Sequence, residues 1–294
     1  DSGYMARIAY MFDRVMFKLG LNGKSILPLM SGYACAIPGI IGTRTIKSWK
    51  ERLVTILVLP LISCQARIPI YVLLIGTFVP KEYILGGLID LQSLSFLLIY
   101  IVSTIIALIV AKIFSLFIYA DDESEFILEM PKYHIPQMKT IFIESFNKIK
   151  LFIIDAGKII VAISIILWFL ASYPKSDENS LVSINDSYAG QIGHFIEPAI
   201  EPLGFDWKIG IGLLTSFAAR EVMVSTLTTV YNIEGDSINA FETLKDKIRK
   251  DYSVLTGISL LVFYMFAAQC MATVAIVKRE TNSWTWTLFM ILYM

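Results

Sequence analysis

Pro60-Leu61-Ile62-Ser63-Cys64-Gln65-Ala66-Arg67-Ile68-Pro69 lies in the middle of an apolar run that extends from Leu53 to Pro80. Two prolines nine residues apart bracket a cysteine and an arginine. Proline removes a backbone donor and clashes with the preceding turn. The run is therefore long enough to cross a bilayer, which needs roughly 20 apolar residues, yet it is built to break inside. A carbonyl freed in hydrocarbon has no water to bond, so such a break must be buried in protein or line a wet cavity. Two other runs share the theme. Leu29-Met30-Ser31-Gly32-Tyr33-Ala34-Cys35-Ala36-Ile37-Pro38-Gly39 carries Gly32 and Gly39 and is flanked by Pro28 and Pro38. Ile209 to Ile233 is interrupted at Thr215-Ser216-Phe217-Ala218-Ala219-Arg220-Glu221 by polarity instead of proline.

The whole composition agrees with a membrane reading. Of 294 residues, 56% are apolar and 17% charged, and the mean hydropathy is +0.65. Soluble domains carry about 25% charged residues. Lysine and arginine balance aspartate and glutamate at 25 each, so no basic excess is present to hold nucleic acid. Both termini fall as if cut from a longer protein, and no signal peptide is read at Asp1. Ser25 to Thr43, Ile84 to Ala120, Leu151 to Pro174 and Ser253 to Val277 are further apolar runs, and Trp284 to Met294 begins another. The expectation is an all-α, polytopic transmembrane bundle: five full spans, one re-entrant or broken segment and one truncated span. Strict alternation over about ten residues is absent, which excludes a β-barrel.

Charges between the runs predict sidedness. Arg44, Lys47, Lys50 and Arg52, then Lys132, Lys139, Lys148 and Lys150, then Lys245, Lys247, Arg249 and Lys250 face only Lys81, Lys175, Lys278 and Arg279 in the intervening loops. The positive-inside rule places the three richer loops in the cytoplasm. Residues 121–150 open acidic and turn amphipathic, a cytoplasmic linker with a surface helix. Met5, Ile8, Ala9, Phe12, Val15, Met16 and Leu19 fall at helical spacing. They predict an N-terminal helix lying either in the interface or on the bundle.

Leu29-Met30-Ser31-Gly32-Tyr33-Ala34 aligns with Leu213-Leu214-Thr215-Ser216-Phe217-Ala218, and Leu61 to Ala66 with Ala267 to Ala272. Interrupted spans in corresponding halves mark a transporter site near the bilayer midplane. The expected organisation is a first gate repeat with its interfacial helix over 1–120, the linker over 121–150 and a second, truncated repeat over 151–294. Cys35, Cys64 and Cys270 sit in or beside the breaks. An odd number in apolar runs argues against a disulfide framework. Each reads either as a small buried hydrophobe or as a ligand for a soft or borderline metal, Cu(I), Zn(II) or Fe(II). Arg220-Glu221 inside a span is costly and reads as a gating element or a structural ion pair. Arg67 reads in a similar way, either as a gating element or in the purely structural task of bonding carbonyls freed near Pro69. His134 and His194 have no nucleophile constellation around them. Gly23-Lys24-Ser25 lacks the upstream glycine of a phosphate loop.

These residues together resemble a known family. Asp1-Ser2-Gly3-Tyr4-Met5-Ala6-Arg7 and Ser31 to Pro38 are similar to the first gate region of the bacterial ferrous iron transport protein B. Glu51 to Leu53 and Ser63 to Pro69 are similar to its second motif. Pro202-Leu203-Gly204-Phe205-Asp206-Trp207 and Ala218 to Val222 resemble its second gate region, with Arg220 where lysine is common. Gln269-Cys270-Met271-Ala272-Thr273 and Arg279 to Trp284 resemble its closing motif, with Gln269 where proline often stands. The resemblance spans nearly the whole chain. It implies a multi-pass permease domain of a bacterial inner-membrane Fe(II) importer and no enzyme in this chain. It also implies a separate N-terminal GTP-binding domain that would bring GTP, a small accessory protein as partner, and a possible homo-oligomer. By resemblance Cys35, Cys64 and Cys270 would be metal-contacting or gate residues, with Glu221 a second-tier metal candidate. Ser63, Arg67, Pro38, Pro69 and Arg220 would serve the gates or their structure. Two other readings stay open: a gate-fold carrier of another divalent metal or a nucleoside, and a non-transporting membrane anchor for a signalling domain.

Overall fold

The computed structural model describes residues 3–84, 89–118, 133, 137–172, 188–218, 220–231, 233, 237–267 and 270–294. Among them the chain is helical, apart from a two-residue antiparallel pair, β1 (Tyr83–Ile84) with β2 (Ile89–Asp90). The acidic opening of the 121–150 linker, His134, Lys175, Gln269 and most of Ala218–Ala219 lie outside the described residues or side chains.

The amphipathic start forms α1 (Tyr4–Lys18). The first interrupted run forms α2 (Ile26–Ala34) and α3 (Ala36–Gly42), joined by Cys35 in extended conformation. With nine and seven residues, neither can cross a bilayer. They fold back on each other. A Cβ on Gly39 would stand 2.9 Å from the carbonyl oxygen of Pro28 and 3.3 Å from the nitrogen of Gly32, so only glycine permits this approach. Pro28 and Pro38 do not unwind anything. Each occupies the first turn of its short helix, where no intrahelical donor is needed.

The run that contains Pro60 forms α4 (Trp49–Val58), a 3-10 turn at Leu59–Leu61, an irregular stretch through Cys64, and α5 (Ile68–Phe78). Ser48 opens α4 by accepting from the Glu51 backbone, half of a capping box. Its residues Val54, Ile56, Leu57 and Val58 have no exposed surface. Pro69 sits in the first turn of α5. Next come α6 (Leu91–Ile118) and α7 (Met138–Ser172). Ile101, Ile105, Ile109 and Ile113 form an exposed stripe at four-residue spacing on α6, a surface that water would penalise and lipid would not.

The second half begins with α8 (Tyr188–Ile200). It continues with α9 (Trp207–Ala218) and α10 (Val222–Val230), then α11 (Ser237–Asp251). The α9–α10 pair also folds back, with Thr215 Oγ1 3.0 Å from Thr226 Oγ1. The chain ends in α12 (Val254–Phe266), α13 (Met271–Thr281) and α14 (Trp284–Tyr293). A hairpin of short helices followed by an interrupted long helix therefore occurs twice in the chain.

Three stretches among the described residues are long and apolar enough to cross a membrane: 49–78, 91–118 and 254–281. The runs at 25–43 and 209–233, each expected as a crossing, form hairpins of short helices instead. Contacts divide the chain into two compact units, each discontinuous. One comprises Asp1–Gln65, Tyr100–Lys158 and Ala272–Met294, the other Ala66–Ile99 and Ile159–Met271.

The predicted sidedness is corrected within each unit. Arg44 and Arg52 were set opposite Lys278 and Arg279. In the first unit Glu280 binds both Arg44 and Arg52 at 2.6 and 2.5 Å, so these segments share one end. The 234–252 segment was set opposite Lys81. In the second unit a Cβ on Gly76 would lie 3.1 Å from Lys245 Cε. The Glu242 carboxyl is held below its ordinary range by its hydrogen bond to Lys245 and, at longer reach, by Lys81. A hairpin counted as a crossing inverts every later loop, and that is the source of the error.

Candidate functional site

In the first unit, α6 organises both the hairpin and the break. The Ser103 hydroxyl donates to Leu61 O at 2.9 Å and accepts from Ser63 N at 3.0 Å and Ser63 Oγ at 3.1 Å. That uses its one donor and both lone pairs. The carbonyl and amide released where the helix breaks are thus satisfied by a neighbouring side chain, as hydrocarbon surroundings demand. One residue on, Thr104 donates to Tyr100 O and lies 2.7 Å from Tyr33 Oη, at the tip of the α2–α3 hairpin. A Cβ on Gly32 would stand 2.8 Å from Leu59 Cδ2 and 3.6 Å from Ile62 Cδ1, so the hairpin is pressed on the residues that precede the break. Cys35 follows this contact at the hairpin tip, half-buried, and Cys64 sits buried in the break. Ser63 has no exposed surface.

In the second unit, two arginines organise the other break. Arg67 is fully buried and donates from Nη1 to Met265 O at 2.8 Å. This acceptor is on α12. Arg220 is 3% exposed and donates from Nη1 to Tyr264 O at 3.3 Å and from Nη2 to Ala267 O at 2.7 Å. Both of these acceptors are backbone carbonyls of the α12 C-terminus. The Tyr264 hydroxyl donates to Ser216 Oγ at 2.8 Å and also contacts Met223 Sδ. A cavity of about 230 Å³ adjoins this cluster, lined in part by Ser216, Arg220, Tyr264 and Ala267. Glu221 is exposed at the start of α10. Cys270 is half-buried just before α13.

Among the described residues no group of three or more His, Cys, Asp or Glu side chains is arranged to hold a metal ion. None of the three cysteines is in a disulfide. Cys35 and Cys64 belong to the first unit and Cys270 to the second.

An open cleft of about 850 Å³ in the second unit is lined by carboxylates, including Glu197, Asp206 and Asp251. Each already has a structural task. Asp206 Oδ1 accepts from Ile209 N at 3.0 Å, capping α9, and from Tyr252 Oη at 2.7 Å. Glu197 accepts from Trp207 N at 3.3 Å. Asp251 accepts from Tyr231 Oη at 2.9 Å and pairs with Lys208 at 3.4 Å. Burial pushes both phenols above the usual tyrosine range, with the neighbouring carboxylates adding to the shift. The Pro202–Trp207 motif is thus a turn, with Gly204 at φ 79°, followed by a helix cap.

Ser103 and Thr104 were not singled out from the sequence. Their signal is an adjacent pair of hydroxyls at the centre of an otherwise uncharged run, Leu94 to Ala111. Glu280 and its two arginines were missed because the three residues are 228 and 236 positions apart.

The family described as Gate, nucleoside recognition, matches residues 1–78 and 153–284. The family described as ferrous iron transport protein B C terminus matches residues 96–148. Curated proteins named Fe(2+) transporter FeoB from Leptospira interrogans (strain Fiocruz L1-130) and Leptospira biflexa are 45% and 44% identical to the chain over its full length, in each case 44% of the relative. A protein from Porphyromonas gingivalis named Fe(2+) transport protein A/Fe(2+) transporter FeoB fusion protein is 34% identical over the full chain and 38% of its own length. The chain therefore spans less than half the length of these relatives. No solved structure matches it.

Proposed function

Because the chain belongs to the Gate family, in the branch of ferrous iron transport protein B, we propose that it is the membrane permease part of a ferrous iron importer. Its two halves are read as gate repeats, 1–120 and 151–294, joined by the 121–150 linker. The observation that carries the reading is the doubled order of hairpin and interrupted helix, with Cys64 in one break and Cys270 at the other. Interrupted helices at corresponding places are where carriers put their substrate, and sulfur suits Fe(II) better than it suits Mg(II) or Ca(II). Cys35, Cys64 and Cys270 are the proposed iron contacts, with Glu221 a second-tier candidate. Iron is cargo here, not a resident cofactor.

The fusion relative supports a partner of the transport protein A type. An N-terminal GTP-binding domain outside this chain, an inner-membrane location and a homo-oligomer complete the proposal. In the full-length protein, Cys64→Ser lowers radioactive Fe(II) uptake by cells at unchanged protein abundance. Wild-type uptake by Cys35→Ser, Cys64→Ser and the double variant refutes thiolate ligation. A second reading rests on the family description itself, nucleoside recognition. Uptake of a nucleoside by reconstituted protein, indifferent to a chelator, favours that cargo.

A further inference from the structure

α12 ends on two buried positive charges. Its backbone leaves the helix at Ala267, φ −58° and ψ 151°, and the last carbonyls of a helix lack intrahelical donors. The carbonyls of Tyr264, Met265 and Ala267 are instead taken by Arg220 and Arg67. The two arginines come from different elements: Arg67 from the turn that opens α5 and Arg220 from the tip of the α9–α10 hairpin. In ion-coupled carriers, the carbonyls of an unwound helix are the oxygens that hold sodium or a proton. A helix C-terminus carries only about half a negative charge. Each guanidinium sets a full positive charge against that partial negative one. Guanidinium also suits the task, because it is weakly hydrated and offers several donors in a rigid plane.

We propose that Arg67 and Arg220 are tethered cations that fill the carbonyl site of the second break and thereby set ion specificity. They exclude Na⁺, K⁺ and Mg²⁺ from it by occupying the oxygens. The proposed iron flux consequently needs no alkali ion bound there. The cavity against Arg220, Tyr264 and Ala267 provides the space that a small cation enters once a guanidinium is removed. This inference rests on the reading of the chain as part of a permease.

The test uses the full-length protein in sealed vesicles, with radioactive sodium and iron fluxes read in parallel. Wild type is as tight to sodium as protein-free vesicles. Arg67→Gln or Arg220→Gln raises sodium flux about tenfold or more, the factor given by a barrier lowered by about 1.4 kcal/mol. Arg67→Lys and Arg220→Lys keep the charge and stay near wild type. Folded glutamine variants as tight as wild type overturn the proposal, as do lysine variants that leak as much as the glutamine ones, since packing and not charge would then decide. A measurement on the unaltered protein stands beside these. Its thermal midpoint is the same in sodium chloride and in choline chloride, and a rise specific to sodium overturns the proposal. Absence of iron flux in wild type would instead remove the permease reading while leaving the sodium result to be judged separately.

Discussion

Glu280→Gln is the most informative single change in the first unit. The Glu280 side chain is 3% exposed and lies near the C-terminal end of α13, where the helix dipole disfavours a negative charge. It is held by Arg44, through Nε at 3.0 Å and Nη2 at 2.6 Å, and by Arg52 Nη2 at 2.5 Å. Removing one partner of a buried pair costs about 3–5 kcal/mol. The two arginines do not share this equally. Arg44 is 52% exposed, which puts its pair with surface ion pairs worth about 0–1 kcal/mol. Arg52 is 21% exposed and carries most of the coupling. Glutamine keeps an acceptor oxygen, so the expected loss is near the lower bound, about 2–3 kcal/mol, or roughly 2–5 °C in thermal midpoint for a protein at least as long as this 294-residue chain. Thermal unfolding of the purified full-length protein reads it, with Arg44→Met, Arg52→Met and the corresponding double variants completing two cycles. The Arg52 coupling exceeds the Arg44 coupling, and high salt weakens only the latter. A loss below about 0.5 kcal/mol, or a larger coupling to Arg44, would refute the ranking by burial.

Two further outcomes follow from other contacts. Ser103→Ala removes the bonds to the Leu61 carbonyl and the Ser63 amide, a loss of about 1–3 kcal/mol, and thermal midpoints beside an exposed control such as Ser93→Ala measure it. Tyr231 and Tyr252 hold their protons more tightly folded than unfolded. The stability they contribute is whole below about pH 10 and drains as pH rises past it. Phenylalanine at both positions flattens that alkaline loss, and an unchanged slope would contradict the assignment.

Much of the fold was legible because hydrocarbon imposes a short list of solutions. The apolar run at Leu53 to Pro80, its interior break and the α6 span follow from length, proline and charge alone. The hairpins were not legible as hairpins. An apolar run of nineteen residues such as Ser25 to Thr43 reads as one crossing, and only the approach of Gly39 to Pro28 shows the reversal. From that one difference the sidedness error follows. At the candidate site, sequence picked out Ser63, Arg67 and Arg220 as residues unlikely to be idle. It could not name their acceptors, because Leu61, Met265 and Ala267 contribute backbone oxygen and a carbonyl has no residue type.

The α2 helix has a further meaning as a ruler. Nine residues at 1.5 Å each give a rod of about 14 Å, close to half of a hydrocarbon slab of about 30 Å. Rooted at one surface, a hairpin of that length delivers its apex to the centre of the slab and stops there. In the proposed permease the depth of Cys35 would follow from that residue count. One extra turn inserted in α2 and matched in α3 would carry the apex about 5.4 Å too deep while leaving every bond at its base intact.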